Sequence, residues 1–588
     1  MVPPVDFPFH VLRDYALLAD GERGALIGPR GDLAWMCAPR WDADAVFASL
    51  IGGAGVYGLT PHDPYTWGGF YEPRSLIWTS RWTTTTGVIQ SREALATPAD
   101  RHTTVILRRV HVLDGPGRVR VVLDLRAGNG MEPMRGTHRD DQGVWTGHSG
   151  PISFRWSGAG GAKRTGRGPL IVDLELKAGE VHDLILEVSD QAITGQPPVA
   201  EVSWSSTEAN WHAAVPELGH GVLGPRDAEL SLAVLTGLTG PGGGMAAAAT
   251  TSLPERARQN RNYDYRFAWI RDQCYAGVAV AAHGHFPLLD SAVRFVSDRV
   301  LADGPQLKPA YTVDGGPVPS ERALPELTGY PGASDKVGNW VNKQFQLDAL
   351  GESLELLARA STHDRIDGDH WKAVEAAVAA IESRWTDADA GIWELDNQHW
   401  AHSRLTCVSG LRAIAGEAPA AQSGRWSALA DTILADVSSD CLHAGGRWQR
   451  SPGDERIDAS LLLPSIRSAV PATDPRSVAT VAAVEAELER DSFVYRFRQD
   501  ERPLGEAEGA FLLCGFLLAL SKAQQGDHLA ARSLFERNRS ACGTPGLLAE
   551  EFDVQQRQLR GNLPQAFVHA LLLECSATLG PDGVLSGR

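Results

Sequence analysis

Apolar and polar positions alternate with a period of two in the first third of the chain. Val119, Val121, Leu123 and Leu125 are separated by Arg120, Val122 and Asp124; Leu170, Val172, Leu174 and Leu176 are separated by Ile171, Asp173 and Glu175. That period puts successive side chains on opposite faces of a half-buried antiparallel strand. Turn-forming runs separate the segments: Asp114-Gly115-Pro116-Gly117, Gly128-Asn129-Gly130 and Lys177-Ala178-Gly179. Residues 70–215 therefore read as strands in series, the pattern of a β-sandwich. From about Arg226 the period becomes helical, and helices are expected over 373–385, 426–437, 510–522, 528–538 and 564–579. Asp527 suits an N-cap, Pro564 a first turn and Gly580 a C-cap. About 360 residues follow Arg226, room for about a dozen helices at roughly 30 residues per helix and loop. A twelve-helix α/α toroid fits that number, as do other helical folds. The change of period falls near the glycine-rich stretches 218–224 and 240–244, both read as linker, and divides the chain into domains 1–225 and 226–588.

Composition narrows the classes. Of 588 residues, 43% are hydrophobic and 22% charged, which is ordinary for a globular protein. A net charge of −17 argues against nucleic acid or an anionic membrane as the main partner, because both need a basic footprint. Lys163, Arg164 and Arg167 lie among glycines and read as a solvated hairpin tip. Seven cysteines without a CxxC read as buried thiols in a reducing compartment. Residues 1–20 show no basic stretch followed by an apolar one, so no secretory signal is expected. The longest apolar run, 509–520, is well short of the ~20 residues that span a bilayer. A cytoplasmic location is the expectation.

No HExxH, paired-histidine helix, EF-hand loop or GxSxG elbow is present, so neither a metal nor seryl chemistry is expected. Carboxylates among aromatics stand out instead. In Arg261-Asn262-Tyr263-Asp264-Tyr265-Arg266-Phe267-Ala268-Trp269-Ile270-Arg271-Asp272, the pair Arg271 and Asp272 offers donors and acceptors side by side, as sugar hydroxyls require. Tyr263, Tyr265, Phe267 and Trp269 can pack on the apolar faces of a pyranose. In Gly391-Ile392-Trp393-Glu394, a carboxyl beside a large aromatic can lose solvation and act as an acid near neutrality. In Leu547-Leu548-Ala549-Glu550-Glu551-Phe552-Asp553, three carboxylates crowd into four residues, and one could be a general base. Each cluster also has a plainer reading: a salt-bridged helix start, a glutamate in a turn, a charged helix end. Spacing does not bring Glu394 and Glu550 together, since 156 residues separate them.

Taken in order, these segments resemble glycoside hydrolase family 15, which comprises glucoamylases, glucodextranases, bacterial trehalases and isomaltose glucohydrolases. The resemblance spans nearly the whole chain. It runs from Asp14-Tyr15-Ala16-Leu17 and Gly31-Asp32-Leu33-Ala34-Trp35-Met36-Cys37-Ala38-Pro39-Arg40-Trp41-Asp42 through Thr250-Thr251-Ser252-Leu253-Pro254-Glu255 and the clusters above. It continues in Glu506-Ala507-Glu508-Gly509-Ala510-Phe511 and ends in Gly561-Asn562-Leu563-Pro564-Gln565-Ala566-Phe567. It implies an N-terminal antiparallel β-sandwich followed by an (α/α)6 barrel. It also implies an inverting, exo-acting glucohydrolase without a cofactor. Glu394 matches the general acid and Glu550 the general base, with Glu551 a poorer match. Arg271 and Asp272 match the grip on the non-reducing glucose, Trp393 lines that subsite, Arg496 is a looser match to a sugar-binding arginine, and Trp340 resembles a tryptophan over the scissile bond. Trp35 and Trp340 are expected near the second sugar.

The expected substrate is a short α-glucoside, because no starch-gripping module follows Gly580. Isomaltose is placed first, trehalose second and maltose-type α-1,4 bonds third. A phosphorylase is a more distant alternative, and the presence of Glu550 argues against it. The sequence leaves oligomeric state open.

Overall fold

The structure is a computed structural model that describes residues 7–164, 166–219, 221–257, 261–500 and 502–581. Residues 1–6 of the segment weighed as a leader and 582–588 of the helical domain lie outside them. Two antiparallel sheets of eight strands each enclose the first core. The two segments with the clearest alternation are neighbours: Gly117–Asp124 pairs with Leu170–Leu176, with Val119 opposite Leu174, Val121 opposite Val172 and Leu123 opposite Leu170.

The strand region differs from the sequence expectation at both ends. Strands begin at Ala16–Ala19, followed by Gly24–Ile27 and Asp32–Cys37, and every residue in the three is buried. Ala16, Leu18, Leu33 and Met36 face the sandwich core, while Leu17, Ala19, Ala34 and Trp35 face the helical domain. With both faces covered, both parities are apolar and the period of two vanishes. At the other end, α1 (Ala200–Ala214) is a helix, not a strand; Trp204, Thr207 and Trp211 form its buried stripe at helical spacing.

Thirteen α-helices occur among the described residues. Twelve follow α1: α2 (Pro225–Leu238), α3 (Ile270–Ala282), α4 (Phe286–Asp303), α5 (Asp348–Ser361), α6 (Gly368–Arg384), α7 (Ala401–Glu417), α8 (Ala420–Asp440), α9 (Leu463–Ile466), α10 (Pro475–Leu488), α11 (Leu512–Gln524), α12 (His528–Arg539) and α13 (Ala566–Thr578). The odd-numbered helices α3 to α13 touch in succession, and α13 returns to α3, closing an inner ring of six. The even-numbered helices pack outside it. Inner helices such as α11 and α13 are buried on nearly every side, which is why 509–520 reads as one apolar run.

Asp527 caps α12 through the Ala530 amide. Pro564 is not in a first turn: α13 starts at Ala566, and Gln565 is still extended, bridged to Ala248. Residues 240–244 form a turn inside the helical domain rather than a linker. A Cβ on Gly244 would lie 2.2 Å from the Val313 carbonyl oxygen, so glycine is needed there for close packing.

Candidate active site

The loops that lead into the inner helices meet at one mouth of the barrel. Arg271 sits in the first turn of α3, Glu394 precedes α7, Phe511 caps α11, and Glu550 lies on the run leading to α13. Residues from these segments line one chamber: Arg271, Trp393, Glu394, Arg496, Phe511 and Glu550, with Glu255, Arg261, Tyr263, Tyr265 and Trp340. A wider vestibule shares Trp340, Glu394, Leu395 and Gln499 with it and extends past Asn397, Gln398, Arg450 and Asp454. Glu394 thus stands at the throat between two compartments.

Backbone geometry sets Glu394 there. Residues 390–395 form a tight turn in which the Glu394 amide donates to the Gly391 carbonyl at 3.1 Å and the Leu395 amide to the Ala390 carbonyl at 2.9 Å. Gly391 has φ +66°, and Glu394 itself has φ +56°, in the left-handed region that a glutamate rarely occupies. The Trp269 indole donates to Glu394 Oε1 at 2.7 Å, and Arg271 Nη2 lies 3.8 Å from the same oxygen. A large aromatic donor and a cation therefore hold one oxygen. Trp393 donates its indole N–H to Asp458 at 2.8 Å and packs edge-on against Phe511.

Glu550 and Glu551 point in different directions, as neighbours on an extended segment must. Glu550 faces the chamber with Oε2 buried and unpartnered. Glu551 Oε2 accepts the Gly509 amide at 2.7 Å and does not line the chamber. Burial pushes the Glu550 carboxyl well above the usual carboxylate range; the like charge of Glu255 adds to this, and Arg496 opposes it. Arg496 donates through Nε and Nη2 to Glu508 at 2.9 and 2.7 Å and stacks its guanidinium over Phe511. Asp272 is buried beside Arg271, with Oδ1 unpartnered; burial pushes its carboxyl up to about 6 despite the arginine.

The structure separates the expected site residues. Glu394, Glu550, Arg271, Trp393, Arg496 and Trp340 line the chamber, and Trp340 is 39% exposed. Asp272 lies behind Arg271. Trp35 does not belong to the site: it is 0% exposed, faces the barrel from the first sheet, and donates its indole N–H to the Ala249 carbonyl at 2.8 Å. Of the four aromatics expected to stack on sugar, Tyr263 and Tyr265 line the chamber, with rings stacked 6.2 Å apart. Phe267 and Trp269 are buried beneath it. Sequence reasoning passed over Glu255 and Arg261 as site residues, although both lie in motif segments. It also missed that Trp269 holds Glu394 and does not face the chamber. Among the described residues, no cluster of three or more His, Cys, Asp or Glu side chains is arranged to hold a metal ion.

Relatives agree with this architecture. A model of glycosyl hydrolases family 15 matches residues 231–577, and one described as trehalase-like, N-terminal matches residues 10–161. The chain is 32% identical to a trehalase of Mycobacterium tuberculosis, over 97% of this chain and 90% of the relative. It is 30% identical to a trehalase of Mycolicibacterium smegmatis, over 97% and 91%. The crystal structure of a bacterial glucoamylase complexed with acarbose has the same fold, with a TM-score of 0.66 and 13% identity over 99% of this chain and 98% of that one. With a sandwich, a six-fold ring of helix pairs and a chamber lined by carboxylates and aromatics, this chain belongs to glycosyl hydrolase family 15 and is a glycoside hydrolase.

Proposed function

We propose that this enzyme is an inverting α,α-trehalase. The observation that carries the reaction type is the placement of Glu394 and Glu550 on one chamber, with Glu394 at its throat. One glucose fits the inner chamber, held by Arg271, which Asp272 backs from behind, and flanked by Trp393, Arg496 and the tyrosines. The other occupies the vestibule beyond Trp340. Glu394 donates its proton to the bridging oxygen. Glu550, ionised, takes a proton from the water that attacks C1 from the opposite face, and the two carboxyls of such a pair stand roughly 6.5–9.5 Å apart to admit that water. Because the Trp269 N–H and Arg271 hold one oxygen of Glu394, the other is left to carry the proton.

The linkage rests on the relatives. Two proteins that align with nearly the whole chain are named trehalase, and the sandwich itself matches a trehalase-like model. This moves trehalose ahead of isomaltose, which the sequence alone placed first. A disaccharide from the cell interior suits the cysteines, none of which is disulfide-bonded and six of which are buried. Among the described residues no helix is long and apolar enough to cross a membrane.

Proton NMR of trehalose turnover tests both parts. Inversion at one ring with release of the other unchanged gives equal α- and β-glucose at first. α-Glucose alone would mean retention and would overturn the two-glutamate mechanism. Turnover of isomaltose or maltose but not trehalose would overturn the linkage.

A further inference from the structure

Three further glutamates, Glu255, Glu508 and Glu551, and two arginines form the wall around Glu550. Arg261 donates through Nε to Glu255 at 3.0 Å, and its Nη2 lies 2.9 Å from Glu255 and 3.2 Å from Glu508. Glu508 also takes both Arg496 bonds and the Gln499 amide at 2.7 Å. Glu255–Arg261–Glu508–Arg496 is therefore a ladder of alternating charge. Within it the two arginines balance Glu255 and Glu508, leaving Glu550 and Glu551 without a cation of their own. Among the ladder carboxylates, Glu255 lines the chamber with Glu550, while Glu508 does not.

Gly561 shows how close the two are. The strand pairing that sets Glu551 opposite Arg560 brings Gly561 across from Glu550, and the Gly561 amide donates to the Pro254 carbonyl at 3.0 Å, next to Glu255. A methyl group added to Gly561 would touch Oε2 of Glu550 at 3.7 Å and Cγ of Glu255 at 3.8 Å. The missing side chain of this glycine is the gap across which the two glutamates face each other.

We propose that Glu255 is a positioning residue: the negative charge, held in place by Arg261, that decides at which pH Glu550 becomes available as a base. The proposal rests on the reading of Glu550 as that base. Other groups also act on Glu550. Arg496 and Arg261 favour its ionised form, and Asp272 on α3 and Glu255 oppose it. Tyr263 and Tyr265 face it, their hydroxyls kept neutral above the ordinary phenol range. Glu551 follows it in the chain, and Glu394 shares its chamber. Glu255 is the largest of the like charges.

The test is the pH profile of kcat/KM, whose acid limb reports the base of the free enzyme. Removing a neighbouring negative charge favours ionisation of Glu550, so Glu255→Gln should move the acid limb down by about one pH unit. Glu255→Asp keeps the charge and should leave the limb within a few tenths of a unit of the parent. A purely structural role would lower kcat at every pH without moving the limb. An unmoved limb in a folded Glu255→Gln enzyme, with Glu550→Gln inactive, overturns the proposal alone. Full activity of Glu550→Gln overturns the reading beneath it. If Glu255→Gln does not fold, the double variant Glu255→Gln/Arg261→Gln, which removes both charges of the buried pair, serves instead. Glu255 acts on Glu550 more strongly than Arg261 does, so the limb should still fall, and a rise or no movement overturns the proposal.

Discussion

The indole N–H of Trp269 donates to Oε1 of Glu394 at 2.7 Å, across 125 positions of sequence. It joins the residue that opens α3 to the turn that precedes α7. One oxygen of the carboxyl is thereby fixed and the other is free to face substrate. Trp269→Phe keeps the buried ring and removes the donor. Turnover should fall about 10-fold through kcat, with KM little changed, because loss of orientation weakens proton transfer more than binding. Steady-state kinetics with a calorimetric check of folding would show it; unchanged kcat would mean that the bond does not position the acid.

Glu394→Gln and Glu550→Gln should each lower kcat by roughly 10²–10⁴, the usual contribution of a general acid or base. Glu551→Gln should cost less than 10-fold. An amide oxygen can still accept the Gly509 N–H, and this side chain lies off the chamber. The opposite ranking of Glu550 and Glu551 would reassign the base.

Trp35→Ala should destabilise the protein by about 3–5 kcal/mol, since a fully buried indole between sandwich and barrel leaves a cavity. Trp35→Phe should retain the parent KM. A KM rise of 10-fold or more in that variant would restore Trp35 to the site.

Gly391→Ala should lower Tm and turnover together. The position has φ +66°, and a Cβ there would meet the Trp400 ring at 2.8 Å. Strain of this kind costs about 1–3 kcal/mol, and the same turn orients Glu394. Parent-like Tm and kcat in this variant would show that the turn tolerates a side chain.

Stability should decline as pH rises from the ordinary carboxylate range through neutrality. Burial pushes the Asp272 carboxyl up to about 6 and raises Asp389, where the like charge of Asp348 adds to the effect. A carboxyl whose folded value lies above its unfolded one binds its proton more tightly in the native state. Its stabilisation is complete below the unfolded value and is lost as pH rises through the folded one. Thermal melts across that range should show a falling Tm, and Asp389→Asn should flatten the slope. A slope unchanged in Asp389→Asn would place the titration elsewhere.

The alternation of Val119–Leu125 with Leu170–Leu176 and the helical period after Arg226 were enough to separate a sandwich from a helical domain. Both signals come from elements with one wet face. They failed where both faces are covered, in Ala16–Ala19 and Asp32–Cys37, because burial on two sides erases the contrast that periodicity measures. Glu394, Glu550, Arg271 and Arg496 were legible as residues, since their motif context marks them. What each faces was decided by tertiary structure alone. Trp35 and Trp340 are the same residue type, yet one is sealed between domains and the other stands at the mouth of the chamber. Glu550 and Glu551 differ by one step along an extended segment, which sends one into the chamber and the other toward Gly509. The apposition of Glu255 and Glu550 across Gly561 joins segments about 300 positions apart. Local pattern carries no record of it, because only the closing of the helical ring brings those loops together.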